Sequence, residues 1–211
     1  MSEPKQTRSE RTQERLLRAA EALILEKGLA DASVPEIARR ARSSVGGFYA
    51  RFPDKDALLR ALEERFFAEM LGRVESLADA GRWADAEVAT IVAACAEELV
   101  SVFRERRNLI AAFLHRATRD PEMLADALRF RAATQERIAA LLLPRSAELR
   151  HPEPRLAIHL AVQFAFALML QLVVVGDVHA AGRVLGDREL QNEIVRNFLA
   201  YIGVPAVGET P

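Results

Sequence analysis

Residues 41–58, ARSSVGGFYARFPDKDAL, decide the fold because they join two short helical patterns and open a long one. The break at Arg42-Ser43 separates the two short helices, Ser44 is a preferred N-cap residue, and Pro53 ends the second helix. Apolar side chains in the second helix recur with the spacing of one helix face, at Val45, Phe48, Tyr49 and Phe52. The segment therefore predicts two helices joined by a tight turn.

A short amphipathic helix is predicted immediately before this turn. Ser33 and Glu36 have the spacing of a capping box, in which each side chain accepts a hydrogen bond from a backbone N–H of the other. Its apolar stripe comprises Val34, Ile37, Ala38 and Ala41. The outer side of the two helices carries four arginines, Arg39, Arg40, Arg42 and Arg51. Because guanidinium groups pair with phosphate oxygens, this surface is a candidate for binding a nucleic-acid backbone.

Helical periodicity continues along the rest of the chain, and no segment shows the sustained alternation typical of strands. The first helix is predicted to begin at a capping box of Thr7 and Glu10 and to end at Gly28. A long fourth helix begins after Asp54. Five more helices are predicted over 84–107, 108–119, 121–143, 153–176 and 188–202. The predicted fold class is all-α, with about nine helices.

Composition narrows the class of protein. The chain has 211 residues, of which 50% are hydrophobic and 28% charged, as in globular proteins. A single cysteine, Cys95, excludes an internal disulfide framework and a cysteine-clustered metal site. The first fifteen residues contain no apolar run, so we expect a cytoplasmic protein without a signal peptide. Residues 1–60 hold 12 Lys and Arg against 9 Asp and Glu, which favours an N-terminal module that binds a polyanion.

The order of residues over about 8–60 resembles the DNA-binding domain of TetR/AcrR-type transcriptional regulators. The shared pattern comprises Ser33, the run Ser44, Gly46, Phe48 and Tyr49, then Phe52 and Lys55. The resemblance implies a helix-turn-helix DNA-binding domain over 1–53, a connecting helix over about 54–79, and a helical ligand-binding and dimerisation domain over 54–203. Residues 204–211 are expected to form a flexible tail.

The resemblance also implies which residues bind double-stranded DNA. They are Ser33, Arg42, Ser43, Ser44, Val45, Gly46, Gly47, Tyr49, Arg51 and Lys55. This chain departs from the family where it has Arg42-Ser43 in place of a glycine and a small apolar residue. The adjacent Gly46 and Gly47 lower helix stability by about 1 kcal/mol each relative to alanine, and they leave few side chains for base edges.

The resemblance further implies that the C-terminal body pairs with a second copy of the chain through its last two long helices. The expected interface residues are Leu156, Leu160, Leu190, Ile194, Phe198 and Ile202. Residues 156–175 are almost uncharged, so this helix must be buried on nearly all sides. A membrane span is the rival interpretation, but His159, two glutamines and the lack of flanking tryptophans oppose it.

The resemblance also implies a binding site for an unidentified small-molecule effector, and we expect it to be an apolar pocket among the middle helices. Its candidate residues are Phe66, Phe67, Met70, Cys95, Phe103, Phe113, His115, Phe130, His159, Phe164 and Met169. No catalytic set, metal site or cofactor motif is found in the sequence. The resemblance carried by Ser33 to Lys55 thus implies a homodimeric, ligand-responsive repressor. Two alternatives are a TetR-like protein-interaction module with weakened DNA binding and, least favoured, a helical enzyme.

Overall fold

The structure, a computed structural model, describes residues 8–204, so the predicted cap at Thr7 and the tail beyond Val204 lie outside it. The predicted all-α class is confirmed within that range. The described part of the chain forms nine α-helices: α1 Arg8–Lys27, α2 Val34–Arg40, α3 Val45–Tyr49, α4 Lys55–Leu77, α5 Val88–Glu105, α6 Arg107–Ala117, α7 Pro121–Leu142, α8 Pro154–Val175 and α9 Asp187–Ile202.

The fifth helix begins later than predicted. A 3-10 helix, Ala80–Trp83, precedes it, and the backbone N–H of Gly81 donates to the Asp79 carboxylate at 3.0 Å. The indole of Trp83 is buried and donates to the carbonyl of Leu77 at 2.6 Å. These contacts hold the chain in a separate turn, so α5 begins at Val88 instead of residue 84.

A two-stranded antiparallel ribbon, His179–Ala180 with Arg183–Val184, was not predicted. Ala181 and Gly182 connect the strands with φ values of 50° and 76°, the left-handed conformations that a tight hairpin requires. Strands of two residues are too short to show alternation, so periodicity alone could not reveal them. A second 3-10 helix, Leu143–Glu148, follows α7.

Two compact units divide the chain. Within the described residues, unit 1 comprises 8–68 and 108–126, and unit 2 comprises 69–107 and 127–204. The core of unit 1 includes the fully buried side chains of Leu16, Ile24, Ile37, Phe48, Leu58 and Leu59. The predicted boundary at residue 53 separates a DNA-binding from a ligand-binding domain and was placed by the sequence motif, whereas the two units are separated by packing. This boundary stays a prediction.

The core of unit 2 brings α5, α7, α8 and α9 together, with Ile91, Leu142, Ile158 and Phe198 among its buried residues. This core corrects part of the predicted subunit interface. Four of the expected interface residues are buried within their own protomer, at Leu190, Ile194, Phe198 and Ile202. The apolar stripe of α9 is therefore covered by the same chain and is not available to a second copy.

Helix α8 is long and apolar enough to cross a membrane, with a mean hydropathy of 2.2 over 18 residues. Part of its surface nevertheless belongs to the core of unit 2, where Ala157, Ile158, Ala161 and Leu172 are buried. A core helix of this kind passes the same hydropathy test, so hydropathy alone does not assign it to a membrane.

Candidate nucleic-acid interface

The turn between α2 and α3 is built on a left-handed residue. Arg42 has a φ of 51°, a conformation that glycine adopts without strain and that costs other residues roughly 1 kcal/mol. The N–H of Ser43 donates to the carbonyl of Ala38 at 2.9 Å, and the N–H of Arg42 donates to that of Arg39 at 3.1 Å. This hydrogen-bond pair is the Schellman motif that ends many helices. It also leaves the Arg42 side chain exposed.

The two predicted N-caps have different outcomes. Ser44 caps α3 as predicted, because its hydroxyl accepts a hydrogen bond from the N–H of Gly47 at 2.9 Å. Ser33 has the extended backbone of an N-cap, but its hydroxyl makes no capping bond. Glu36 pairs with Lys27 of α1, so the predicted capping box is wrong. The exposed hydroxyl of Ser33 therefore takes no part in capping α2.

Aromatic side chains fix α3 to the body of unit 1. Phe48 and Phe52 are buried as predicted, with their ring centroids 5.7 Å apart. The ring of Tyr49 packs edge-on against Phe48 at 5.3 Å, yet the residue remains 54% exposed. The phenol therefore lies at the surface with its ring held by the core, which suits it to contact a phosphate.

The outer face of α3 is bare backbone flanked by small side chains. Ser44, Val45, Gly46 and Ala50 are exposed. The nearest contact of a Cβ atom at Gly46, outside its own helix backbone, would be the Ser44 hydroxyl at 3.9 Å. A Cβ atom at Gly47 would lie 2.5 Å from the Ser43 hydroxyl. Gly46 thus faces open space, whereas Gly47 permits close packing against the turn.

The four arginines predicted on this surface divide into two pairs. Arg40 binds Glu26 of α1 through two hydrogen bonds of 2.7 and 2.5 Å, and this contact lowers the pKa of the Glu26 carboxyl. Arg51 is half-buried and donates to the carbonyl of Gly47 at 2.9 Å. Both therefore hold the helices in place. Arg39 and Arg42 extend into solvent.

Lys55 is the first residue of α4, whose N-terminus is capped by Asp54 through a 2.7 Å bond from the N–H of Ala57. The Lys55 ammonium donates to the carbonyl of Leu29, and burial lowers its pKa. The Lys55 ammonium thus stabilises the connection between α1 and α2.

The residues predicted to line one effector pocket lie in several places. In unit 1, Phe66 contacts Phe67 and Phe113, with ring centroids 5.6 and 5.5 Å apart. In unit 2, Phe103 and Phe130 contact Phe166, a residue that the sequence analysis missed. Met70 and Met169 are buried.

Several other predicted pocket residues have surface or inert positions. His115 is exposed and accepts a hydrogen bond from Arg119 at 2.8 Å, and its assignment to a pocket stays a prediction. Phe164 is also exposed and packs against Tyr201. His159 is half-buried, 3.4 Å from Glu136. Burial raises the pKa of the Cys95 thiol to about 12, which makes it unreactive.

A buried acid, Glu63 on α4, is the main residue that sequence reasoning missed. Its side chain is 1% exposed, and neither carboxylate oxygen has a hydrogen-bond partner. Its helix neighbours Leu59 and Phe66 are also buried. Glu63 follows Leu59 by four residues and precedes Phe66 by three, so the sequence already places this carboxylate on the apolar face of the helix.

Comparison with known proteins adds independent evidence. Residues 16–62 match the family model for bacterial regulatory proteins of the tetR family. The HTH-type transcriptional regulator YvdT of Bacillus subtilis (strain 168) is 38% identical over 72 residues, which cover 34% of this chain. The match spans only 36% of YvdT, about a third of its length.

Solved structures share the whole fold. A protein from Mesorhizobium loti MAFF303099, described as a TetR-family transcriptional regulator, superposes with a TM-score of 0.71 at 21% identity, covering 93% of this chain and 98% of that one. RolR in complex with resorcinol gives a TM-score of 0.60 at 21% identity, covering 94% and 91%. Residues 16–62 thus match the family model for bacterial regulatory proteins of the tetR family, and the chain shares the fold of these two solved structures.

Proposed function

We propose that the chain is a homodimeric transcriptional repressor that binds a palindromic operator through α2 and α3 and is released by a small-molecule effector. The observation that carries this proposal is the packing of α3, which buries Phe48 and Phe52 and leaves the opposite face exposed. A helix presented in this way can enter the major groove of DNA. The protein is then a cytoplasmic, nucleoid-associated regulator without an enzymatic role or cofactor.

The exposed groups divide by the part of DNA that each can contact. The hydroxyls of Ser33 and Tyr49 can donate to phosphates. Val45 can contact a thymine methyl group, and Arg42 can bind a guanine edge or a phosphate. The exposed backbone at Gly46 allows close approach. Arg51, Ser43, Gly47 and Lys55 shape this surface from within unit 1.

A second copy of the chain is the proposed partner of α8. Four large apolar residues of this helix remain exposed: Leu156 at 48%, Phe164 at 46%, Val174 at 69% and Val175 at 63%. Leu160 is half-buried between them. Exposed apolar area of this kind marks an interface, and a homodimer would cover it. We prefer this to membrane insertion because the opposite side of α8 packs in a protein core.

Effector release is proposed as a shift in populations. A ligand weakens operator binding only if it prefers the conformation that binds DNA poorly. RolR, which has a similar fold, binds resorcinol. The aromatic clusters around Phe66 and Phe166 are the apolar surfaces on which such a ligand could bind in this chain.

The experiment is fluorescence anisotropy of the purified protein on duplexes from its own upstream region, with scrambled duplexes as competitors. The proposal predicts that one duplex binds at least about 10³-fold more tightly than the others and that its affinity falls steeply with salt. Uniformly weak binding to all sequences, including those from a genome-wide selection, would overturn it.

A protein-interaction module with weakened DNA binding is the second candidate. It is favoured by the left-handed Arg42 and the adjacent glycines of α3, both of which destabilise the recognition helix. The same genome-wide selection distinguishes the two candidates, since only the repressor enriches a palindrome.

A further inference from the structure

The unpartnered Glu63 lies within a cluster of acidic groups in unit 1. Asp120 and Asp126, both in the α6–α7 part of unit 1, act on it electrostatically, as does its neighbour Glu64. An ionised carboxylate buried without a partner costs several kcal/mol, so a protein retains one only where something neutralises it.

Arginines of unit 1 pair with other acidic residues. Arg60, one turn earlier on α4, donates to Asp120 at 2.7 Å and also pairs with Glu122. Arg116 of α6 lies 3.2 Å from Asp56, and its Nε is buried without a hydrogen-bond partner. Toward α1, Arg65 pairs with Glu14 and Glu21. Among the described residues, none of these three side chains hydrogen-bonds to Glu63.

Aromatic rings accompany this carboxylate. Phe66 follows Glu63 by three residues on α4, which places both on the same side of the helix. Its ring contacts those of Phe67 and Phe113. A carboxylate on the same side of a helix as an aromatic cluster can hold a cation by charge, while the rings hold an attached apolar group and add the attraction of their quadrupoles.

We propose that Glu63 anchors the ammonium group of an amphipathic organic cation, whose apolar part packs against Phe66 and Phe113. This inference deepens the proposed effector response and rests on it only for the consequence at DNA. Binding itself is a property of unit 1. The ammonium group supplies the partner that Glu63 lacks, while Asp120 and Asp126 add an attractive field.

Proton exchange accompanies this binding. Burial, reinforced by the nearby Asp126 and Asp120, raises the pKa of Glu63 to about 8. The free protein therefore holds a proton on Glu63 at pH 7. The ligand arrives as an ammonium ion and keeps its protons, and the Glu63 proton is released to solvent. Affinity must then increase as the pH rises from 6 toward 8.

Isothermal titration calorimetry with 2-phenylethylammonium tests this proposal without DNA. We expect the wild-type protein to prefer this cation over neutral 2-phenylethanol by about tenfold or more. Titrations in buffers of different ionisation enthalpy should show release of close to one proton per ligand at pH 7. Glu63→Gln should lose both the preference and the proton release.

The exposed neighbour Glu64 provides the matched control, because Glu64→Gln removes the same charge from the adjacent position. It should retain the preference and most of the proton release, because Glu64 is the weakest of the charges that act on Glu63. No binding of the cation by the wild-type protein, equal binding of the cation and the alcohol, or an unchanged preference in Glu63→Gln would each overturn the proposal. Cation binding by a protein that selects no operator would contradict the proposed repressor function alone.

Discussion

The backbone N–H of Ser43 donates to the carbonyl of Ala38 at 2.9 Å, and the turn thus closed holds the intervening Arg42 at a φ of 51°. The chain therefore places a charged residue where glycine is conformationally preferred. The strained turn places the exposed guanidinium of Arg42 next to α3.

Replacing Arg42 should separate backbone strain from side-chain function. Arg42→Gly should raise the free energy of unfolding by about 0.5–1 kcal/mol because glycine adopts a positive φ without strain. Arg42→Ala retains the strain and should give no such gain. Urea unfolding followed by circular dichroism measures both variants. Equal stability of the glycine and alanine variants would contradict the strained turn.

The two glycines of α3 should respond differently to alanine. Gly46→Ala should stabilise the protein by about 0.5–1 kcal/mol, since the new methyl group enters open space and alanine favours helix. Gly47→Ala should gain less or lose stability, because its Cβ would lie 2.5 Å from the Ser43 hydroxyl. Thermal unfolding of the two variants side by side gives the comparison, and the reverse order would refute it.

Local sequence patterns predicted the helix-turn-helix well. Its helices are short, so residues only a few positions apart determine where each helix begins and which of its side chains share the apolar face. The Ser44 cap and the buried Phe48 and Phe52 follow from this spacing. The Ser33–Glu36 box failed because Glu36 pairs with Lys27, which lies nine residues away on another helix. Such tertiary competition leaves no trace in a local motif.

Periodicity also identified the buried stripe of α9 but not the partner that covers it. Leu190 and Ile194 have the spacing of an interface helix, and the structure covers them with the same chain. The exposed residues of α8 could not be separated from its buried ones, because the helix is apolar on nearly every side.

Substitutions on α8 and α9 should therefore change different properties of the protein, the oligomeric state and the stability of the protomer. Val174→Glu should convert the proposed dimer to monomers because it places a charge on an exposed apolar face while leaving the protomer core intact. Leu190→Ala should cost about 2–5 kcal/mol of stability without changing the oligomeric state. Sedimentation equilibrium and urea unfolding measure the two properties. Arg196→Gln, at an exposed position of α9, changes the net charge by the same amount and serves as the control. A dimer that survives Val174→Glu would exclude this face.

Protonation of Glu63 should make stability depend on pH. Its pKa is about 8 in the folded protein and near the ordinary value of 4.5 when unfolded, so the folded state binds the extra proton between these values. The free energy of unfolding should thus fall as the pH rises from 4.5 to 8, by as much as about 1.4 kcal/mol per unit, and level off above 8.

Comparing variants isolates this contribution. Glu63→Gln should remove that part of the slope, whereas Glu64→Gln should keep it. Urea unfolding at several pH values between 5 and 9 provides the measurement. The same slope in Glu63→Gln as in the wild-type protein would show that another group carries the pH dependence.

Operator binding by α2 and α3 is most directly tested by the salt dependence of DNA affinity in the wild-type protein and in Tyr49→Phe and Arg42→Ala. Arg39→Ala is a comparison variant that removes an arginine from α2. The account predicts that the wild-type protein strongly prefers one duplex and that Tyr49→Phe and Arg42→Ala bind it more weakly. If Arg42 contacts a phosphate, Arg42→Ala should also reduce the salt slope by about 1. If Arg42 contacts a base, the same variant should relax the base preference. Unchanged affinity, slope and base preference in both variants would contradict the assignment of this surface to DNA.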